Sequence, residues 1–193
     1  MKNNYWNHKT AEIEKGANIG KGTKIWHHCQ IKKGAVIGDD CTVGHNCFIA
    51  EGAVIGNNVK IQSNTDIWDK VVLQDYVFIG PSVVFTNDKN PRSKYPKGKD
   101  KWIPTLVKEG ATIGANATIV CGVVIGKWAM VGAGTVIKKD VIDYAIVVGQ
   151  LQKIIGYMCE CGNKLKFSGE KSKCKECKRE YQKKKGIVWE IKN

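Results

Sequence analysis

The hydrophobic positions of this chain repeat every six residues. An aliphatic residue stands at each sixth position from Ile13 to Ile79, and the same period returns from Val107 to Ile137. Four residues after each of these stands a small or slim residue, as at Ala17. The dipeptide between the two is rich in Gly, Asn, Asp and Lys. A period of six fits neither a helix nor an ordinary strand. It predicts a parallel β-helix in which each hexad is one short strand and one corner.

The pattern also predicts which side chains face inward. We expect the aliphatic and the small residue of each hexad to fill the interior, while Gly, Asn and Asp at the corners adopt positive φ. Three hexads make a triangular coil of about 18 residues, and coils stack at roughly 4.8 Å. Twelve hexads precede an interruption and six follow it. The chain is therefore predicted to be all-β, with about six coils.

Residues 18 positions apart share one edge of such a triangle. Three of the four histidines, His27, His28 and His45, fall on a single edge. If the interruption leaves and rejoins at one edge, Ala115-Asn116 and Ala133-Gly134 extend this column. Such small corners would let a long, slender ligand lie along the coils. Small polar corners are also what any hexapeptide turn prefers, so both interpretations stay open.

One long loop interrupts the repeat, from Thr86 to Leu106. Three prolines forbid regular strand there, and Lys and Arg are frequent. Long loops on a rigid scaffold are usually functional or disordered. Tyr95 and Trp102 argue against simple disorder. We expect a domain over residues 1–157 that carries this loop at 86–106.

The remaining segment, 158–193, contains two cysteine pairs. A C-x-C pair and a C-x₂-C pair a dozen residues later fit a tetrahedral zinc site, with the ligands Cys159, Cys161, Cys174 and Cys177. So short a unit has little core of its own, and a Zn²⁺ ion would staple it. We therefore expect a small zinc-ribbon-like appendage. The alternative is a frayed tail with idle thiols.

Composition narrows the function only slightly. The net charge is +13, from 31 basic and 18 acidic residues, which suits either polyphosphate ligands or plain solubility. No apolar run is long enough to cross a membrane, and the first residues lack the apolar segment of a signal peptide. We expect a cytoplasmic protein with no membrane partner.

Several segments carry a family resemblance. The stretch Pro81–Asn87 is followed by Asn90–Arg92, and Gly110–Gly122 is followed by Val131–Thr135. With Thr23–His27, these segments resemble bacterial nucleotide-sugar N-acetyltransferases of the hexapeptide-repeat family. The likeness covers about residues 13–157. It is greatest to the enzymes that acetylate the 3-amino group of UDP-2-acetamido-3-amino-2,3-dideoxyglucuronate, a precursor of surface polysaccharide.

The resemblance implies a left-handed β-helix, an exception to the usual right-handed crossover, that assembles as a homotrimer. It also implies that acetyl-CoA lies between neighbouring copies, parallel to their axes, and that the nucleotide sugar docks near the loop. Asn87 would orient the sugar. The implied substrate contacts are Gln62, Asn64, Arg92 and His45, and the implied acetyl-CoA contacts are Ala115, Asn116, Ala133, Gly134 and Lys138.

The proton acceptor stays open. His27, our first choice, or His28 or His45 would accept the amine proton, because imidazole titrates near neutral pH. The departing CoA thiolate is the alternative acceptor.

The sequence leaves three rival functions open. The first is O-acetyl transfer to another sugar or small molecule. The second is a γ-type carbonic anhydrase using the three histidines, although their spacing is wrong for that family. The third is a basic nucleic-acid-binding module, whose aromatic residues would be Tyr181 and Trp189. We do not expect nucleic acid to be the main partner.

Overall fold

Short strands recur every six residues, and each pairs in parallel with the strand one coil further on. Lys24 and Ile25 pair with Thr42 and Val43, and Val36 pairs with Val54. This architecture is seen in a computed structural model that describes residues 4–191. The 18-residue spacing of the partners confirms the predicted triangular coil.

Fourteen strands precede the interruption. They are β1 (Trp6–Asn7), β2 (Glu12–Ile13), β3 (Asn18–Ile19), β4 (Lys24–Ile25), β5 (Gln30–Ile31), β6 (Val36–Ile37), β7 (Thr42–Val43), β8 (Phe48–Ile49), β9 (Val54–Ile55), β10 (Lys60–Ile61), β11 (Asp66–Ile67), β12 (Val71–Leu73), β13 (Phe78–Ile79) and β14 (Val84–Phe85).

The later strands complete the β-helix and form the tail. They are β15 (Thr105–Val107), β16 (Thr112–Ile113), β17 (Thr118–Ile119), β18 (Val124–Ile125), β19 (Met130–Val131), β20 (Val136–Ile137), β21 (Ala145–Val148), β22 (Lys153–Met158), β23 (Lys164–Leu165), β24 (Lys171–Lys173), β25 (Glu180–Lys184) and β26 (Ile187–Ile191).

Three sheets form the sides of the prism. Sheet A contains β1, β4, β7, β10, β13, β16, β19 and β21, extended by β22 and β23. Sheet B contains β2, β5, β8, β11, β14, β17 and β20, and sheet C contains β3, β6, β9, β12, β15 and β18. The seven strands of sheet B correspond to seven coils, where the sequence predicted about six. The difference corresponds to three strands, β1, β14 and β21. The sequence pattern did not count them because they fall outside the strict aliphatic period.

The predicted inward residues form one continuous core. Ile25, Ile61 and Ile119 are among the fully buried side chains, and each such burial contributes roughly 1.5–3 kcal/mol. Ile13 and Ile19 are only half-buried, since they belong to the first coil and have few coils beneath them. Corner residues have positive φ as predicted, for example Asn58 at 56°. Tyr76 also does so, at 60°.

The loop runs from Thr86 to Pro104, because β15 begins at Thr105 rather than after Leu106. Its base closes where the Ile103 N–H donates to the Asn87 carbonyl at 3.0 Å. Within it lies a 3₁₀ turn, Lys99–Lys101, which is the only helix among residues 4–191. Among these described residues, no helix is long and apolar enough to cross a membrane.

The tail packs against the last coil of the β-helix. Strand β22 pairs antiparallel with β21, so it crosses the predicted boundary at residue 157. Strands β24, β25 and β26 form a separate three-stranded sheet. A second hydrophobic cluster joins Tyr181 and Val188 of the tail to Trp128 and Tyr144 of the β-helix. The tail therefore shares a core with the prism instead of standing apart from it.

Candidate functional site

The edge between sheets A and B, here called the histidine edge, carries most of the predicted site residues. Backbone hydrogen bonds connect its corners from coil to coil. Asn46 N donates to His27 O at 2.9 Å, and Asn64 N donates to His45 O at 3.0 Å. Further along, Asn116 N donates to Pro81 O at 3.0 Å, and Gly134 N donates to Ala115 O at 2.9 Å. The corners at Ala115 and Ala133 therefore do extend the histidine column.

The first coils of this edge hold a cluster of aromatic rings that includes a histidine the sequence analysis missed. The His8 ring stacks on His27 with centroids 3.5 Å apart, and Trp6 meets Trp26 edge-on at 5.3 Å. Desolvation lowers the pKa of His8, and the charge of the neighbouring His27 adds to this. Residue 8 lies 18 positions before Trp26, so the coil period could have placed it beside this cluster.

Two coils further along, polar side chains pair along the same edge. The Ser63 hydroxyl lies 2.8 Å from His45 Nδ1, and Asn46 Nδ2 donates to Asn64 Oδ1 at 2.9 Å. Gln62 lies beside them and lines one hollow together with His45. The structure thus brings together three of the four predicted substrate contacts.

The edge between sheets B and C, here called the loop edge, carries Asn87 and Arg92. Arg92 is exposed, and its Nη1 donates to the Pro91 carbonyl at 3.2 Å. Close by, a hydrogen bond from Lys97 lowers the pKa of the Asp88 carboxyl group. Lys99 connects the loop to the prism, because its Nζ donates to Glu51 Oε2 at 2.7 Å. The loop is therefore anchored, while its guanidinium group stays free to meet an anion.

The two edges do not meet within one copy of the chain. Sheet B lies between them, so Asn87 and Arg92 are separated from the histidine edge by a full side of the prism. His27 also lies three coils before the row of Pro81, the corner just before Asn87. At about 4.8 Å per coil this is roughly 14 Å along the axis. Within one copy of the chain, these two groups therefore do not share a site.

Lys138 follows β20 of sheet B, so it lies on the loop edge in the last coil and not with the alanine corners of the histidine edge. Its backbone N–H donates to Gln152 Oε1 at 2.9 Å. It lines a hollow of about 370 Å³ that also includes Val147, Leu151 and Ile154. Leu151 is almost fully exposed. The hollow combines apolar walls with lysine side chains.

The four tail cysteines converge. Their sulfur atoms all lie within 4.8 Å of one another, and the closest pairs are 3.4 to 3.5 Å apart. A tetrahedral zinc ion with bonds of about 2.3 Å places its sulfur ligands roughly 3.8 Å apart. These distances are near that value and far beyond a disulfide bond. The donor set therefore fits zinc.

Polar groups surround these sulfurs. The buried Tyr181 hydroxyl lies 3.2 Å from Cys159 Sγ, and Asn163 Nδ2 donates to Cys161 Sγ at 3.4 Å. That hydrogen bond lowers the pKa of Cys161 to about 6, whereas burial raises the pKa of Cys159 to about 12. Among residues 4–191 this is the only cluster of three or more potential metal ligands. His27, His28 and His45 do not converge within one described chain.

A protein-family model matches most of the prism. The model described as bacterial transferase hexapeptide (six repeats) matches residues 12–51, 52–87 and 104–139, more than half of the chain. The chain belongs to the bacterial hexapeptide transferase family. The matched residues of this hexapeptide transferase include both sides of the loop and both alanine corners, whereas Arg92 lies in the unmatched loop between them.

Individual relatives match shorter stretches. The dTDP-3-amino-3,6-dideoxy-alpha-D-galactopyranose 3-N-acetyltransferase of Aneurinibacillus thermoaerophilus is 47% identical over 87 residues, 45% of this chain and 45% of that protein. The bifunctional protein GlmU of Fervidobacterium nodosum is 46% identical over 55 residues, 28% of this chain and 12% of that protein. This hexapeptide transferase thus spans less than half the length of these curated relatives.

One solved structure supports the fold. The acetyltransferase domain of PglB from Neisseria gonorrhoeae, in complex with acetyl coenzyme A, matches with a TM-score of 0.55 and 19% identity. The match covers 77% of this chain and 56% of the other. At this identity the likeness shows the shared β-helix alone.

Proposed function

We propose that this hexapeptide transferase is an acetyl-CoA-dependent N-acetyltransferase that acts on the amino group of a nucleotide-linked amino sugar. The observation that carries the proposal is the 47% identity to an enzyme named for acetylating the 3-amino group of a dTDP-linked sugar. The exposed guanidinium group of Arg92, on the same loop as Asn87, adds chemical support, since guanidinium groups suit diphosphates.

The chemistry needs few groups from the protein. The free amine attacks the thioester carbonyl, forms a tetrahedral oxyanion and expels CoA as a thiolate. Holding the amine and the thioester in line lowers the activation barrier by on the order of 7–11 kcal/mol in favourable cases. A backbone N–H at one corner would stabilise the oxyanion. We assign acetyl-CoA to the small corners of the histidine edge. Lys138 follows β20 of sheet B and lies on the loop edge, so it would contact the acetyl-CoA of a neighbouring copy.

We assign Asn87 to orienting the sugar and Arg92, Gln62, Asn64 and His45 to contacting the substrate. The role of His27 as proton acceptor stays a prediction. Its distance from the row of Asn87 favours the other route, in which the departing thiolate takes the proton. An unaltered pH–rate profile for His27→Ala would rule out the imidazole.

The separation of the two edges supports a proposal about assembly. We propose a homotrimer in which the loop edge of one copy lies beside the histidine edge of the next, so that each site draws on two chains. The location proposed is the cytoplasm, because both proposed substrates are intracellular metabolites.

Two further points concern the identity of the substrate. We propose a UDP-2-acetamido-3-amino-2,3-dideoxyglucuronate type of sugar, used for surface polysaccharide, on the basis of the Pro81–Arg92 segment. O-acetyl transfer is the second candidate. Nucleic-acid binding as a main function is disfavoured. Of the two aromatic residues that would stack on bases, Tyr181 is completely buried.

The test is thiol release from acetyl-CoA across a panel of UDP- and dTDP-linked amino sugars and their hydroxyl counterparts. Release with 3-amino sugars alone supports the proposal, and release with hydroxyl sugars alone supports O-acetylation. Asn87→Ala should lower kcat at least tenfold without changing assembly. Lys94→Ala, a change in the same exposed loop, is the matched control and should leave kcat unchanged.

We also propose that Cys159, Cys161, Cys174 and Cys177 hold a structural zinc ion. Support comes from the converging sulfurs and from the hydrogen bonds that Tyr181 and Asn163 make to them. With four protein ligands such a site has no open position, so its role would be to fix the fold of the tail.

A further inference from the structure

A small hollow lies on sheet A beside the histidine edge. It has a volume of about 220 Å³, and its walls include Trp26, Gly44, His45 and Gln62. Sites for whole drug-sized ligands usually occupy 300–1,000 Å³. This hollow is therefore suited to one part of a ligand, such as a single ring.

One wall of the hollow is an exposed indole. Trp26 is 40% exposed, and Trp6, which meets its ring edge-on, is 45% exposed. The contact with Trp6 holds the indole in one orientation. An exposed, fixed aromatic face is a stacking platform for planar rings, and stacking is available to every nucleobase.

Gly44 also lines the hollow. A Cβ atom there would lie 2.7 Å from the Ser63 backbone nitrogen, so no larger side chain fits without displacing the next coil. The opposite rim carries the Gln62 amide and the His45–Ser63 pair, whose polar atoms lie 2.8 Å apart. Amide and imidazole groups supply the donors and acceptors that the edge of a base requires.

Two cations flank the hollow on the same sheet. Lys24 and Lys60 pair with Thr42 from the coils on either side of it, and Thr42 itself lines the hollow. Both lysines are exposed and alternate with buried neighbours, so their side chains point outward. They therefore place positive charge on the coils that border the hollow.

We propose that this hollow binds the pyrimidine base of the nucleotide sugar, with its ring on Trp26 and its edge on Gln62 and His45, while Lys24 and Lys60 neutralise the diphosphate. The inference rests on the proposed function, which supplies the nucleotide, and it adds the residues that recognise it. In this arrangement His45 and Gln62 contact the base rather than the sugar.

The experiment measures equilibrium binding of UDP, dTDP and inorganic pyrophosphate by calorimetry, which needs no acetyl transfer. Trp26→Ala should weaken UDP and dTDP binding about 5- to 150-fold, the usual range for one lost stacking contact. It should leave pyrophosphate binding unchanged. Lys24→Ala with Lys60→Ala should weaken all three ligands.

Trp68→Ala is the matched control. Trp68 is a half-buried indole on sheet B that packs on Phe48 at 5.4 Å, outside the hollow, and its removal should leave all three affinities unchanged. In acetyl transfer, Trp26→Ala should raise KM for the nucleotide sugar while kcat is kept.

Three results would overturn the inference. One is Trp26→Ala binding UDP as tightly as the natural chain, and another is no binding of UDP or dTDP by the natural chain. The third is loss of assembly by Trp26→Ala with no change in UDP affinity, which would assign the indole to contacts between copies. Tight UDP binding without thiol release from any amino sugar would refute the proposed reaction and leave the nucleotide site standing.

Discussion

His45 Nδ1 lies 2.8 Å from the hydroxyl oxygen of Ser63, which occupies the same edge one coil further on. The hydrogen bond fixes the orientation of the imidazole and leaves Nε2 free for a ligand. We expect Ser63→Ala to raise KM for the nucleotide sugar several-fold, because the ring loses its orientation.

Stability should change little in this variant, since a partly exposed hydrogen bond contributes only about 1 kcal/mol. Steady-state kinetics and a melting curve measure the two effects. Ser63→Thr keeps a hydroxyl group and should restore KM. An unchanged KM in Ser63→Ala would show that the pair has no part in binding.

Substitutions at two glycines near the alanine corners distinguish the effect of close packing from the effect of backbone strain. A Cβ atom at Gly114 would lie 2.6 Å from the Ala133 backbone nitrogen, whereas at Gly134, with φ of +66°, it would meet nothing within 4 Å. Gly114→Ala should lower the free energy of unfolding by about 2–3 kcal/mol through overpacking. Gly134→Ala should cost about 1 kcal/mol through left-handed strain.

Urea unfolding compares the two variants directly. If Gly134→Ala proved the more destabilising of the two, the coil spacing of the structure would be wrong.

The side chain added at Gly134 projects into open space along the proposed path of acetyl-CoA. A rise in KM for acetyl-CoA in this variant would support that path.

Removal of metal should loosen the tail and spare the prism. We expect about one zinc ion per chain as purified, and its loss in Cys174→Ser, because a structural site requires all four thiolates. Hydrogen exchange should then accelerate over residues 159–191, with the core strands around Ile61 unchanged. Elemental analysis and exchange mass spectrometry make the measurement.

Cys41→Ser is the control for this change, since Cys41 is buried in the prism outside the cluster. It should keep the zinc content of the natural chain. A protein without zinc whose tail amides are nonetheless fully protected would contradict the zinc proposal.

Asp66 on sheet B should destabilise the fold at neutral pH. Burial raises the pKa of its carboxyl group, against a hydrogen bond from the Phe48 backbone that lowers it. The folded state therefore prefers the protonated form. The cost is present above the folded pKa and fades as the pH falls towards the unfolded value, about 3.9. Asp66→Asn should raise the free energy of unfolding at pH 7, with a smaller gain near pH 4.

Asp88→Asn should have the opposite effect on the free energy of unfolding. Lys97 lowers the pKa of Asp88, so the ionised carboxylate stabilises the fold above the unfolded pKa, and that contribution disappears as the pH falls through the folded pKa. This variant should lose stability at pH 7. Chemical unfolding at pH 4 and pH 7 compares both variants, and equal effects at the two pH values would refute the assignment.

The sequence located the corners well and the ring contacts poorly. The alignment of Ala115 with His45 follows from counting in steps of 18 and from the loop returning where it leaves, and the structure confirms it. The stack of His8 on His27 and the hollow beside Trp26 depend on side-chain rotamers and on the first coil beginning at Trp6. Counting in steps of 18 places His8 one coil before Trp26, but it does not reveal how the rings are oriented.

By itself, the sequence determined the six-residue period, the inward side chains and the positive-φ corners, because a repeating strand and turn has only one way to bury its aliphatic stripe. Counting in steps of 18 also places Asn87 and His27 on different edges. Tertiary structure alone decided that the tail packs on Tyr144. That contact joins segments outside the repeat, and no period along the chain predicts it.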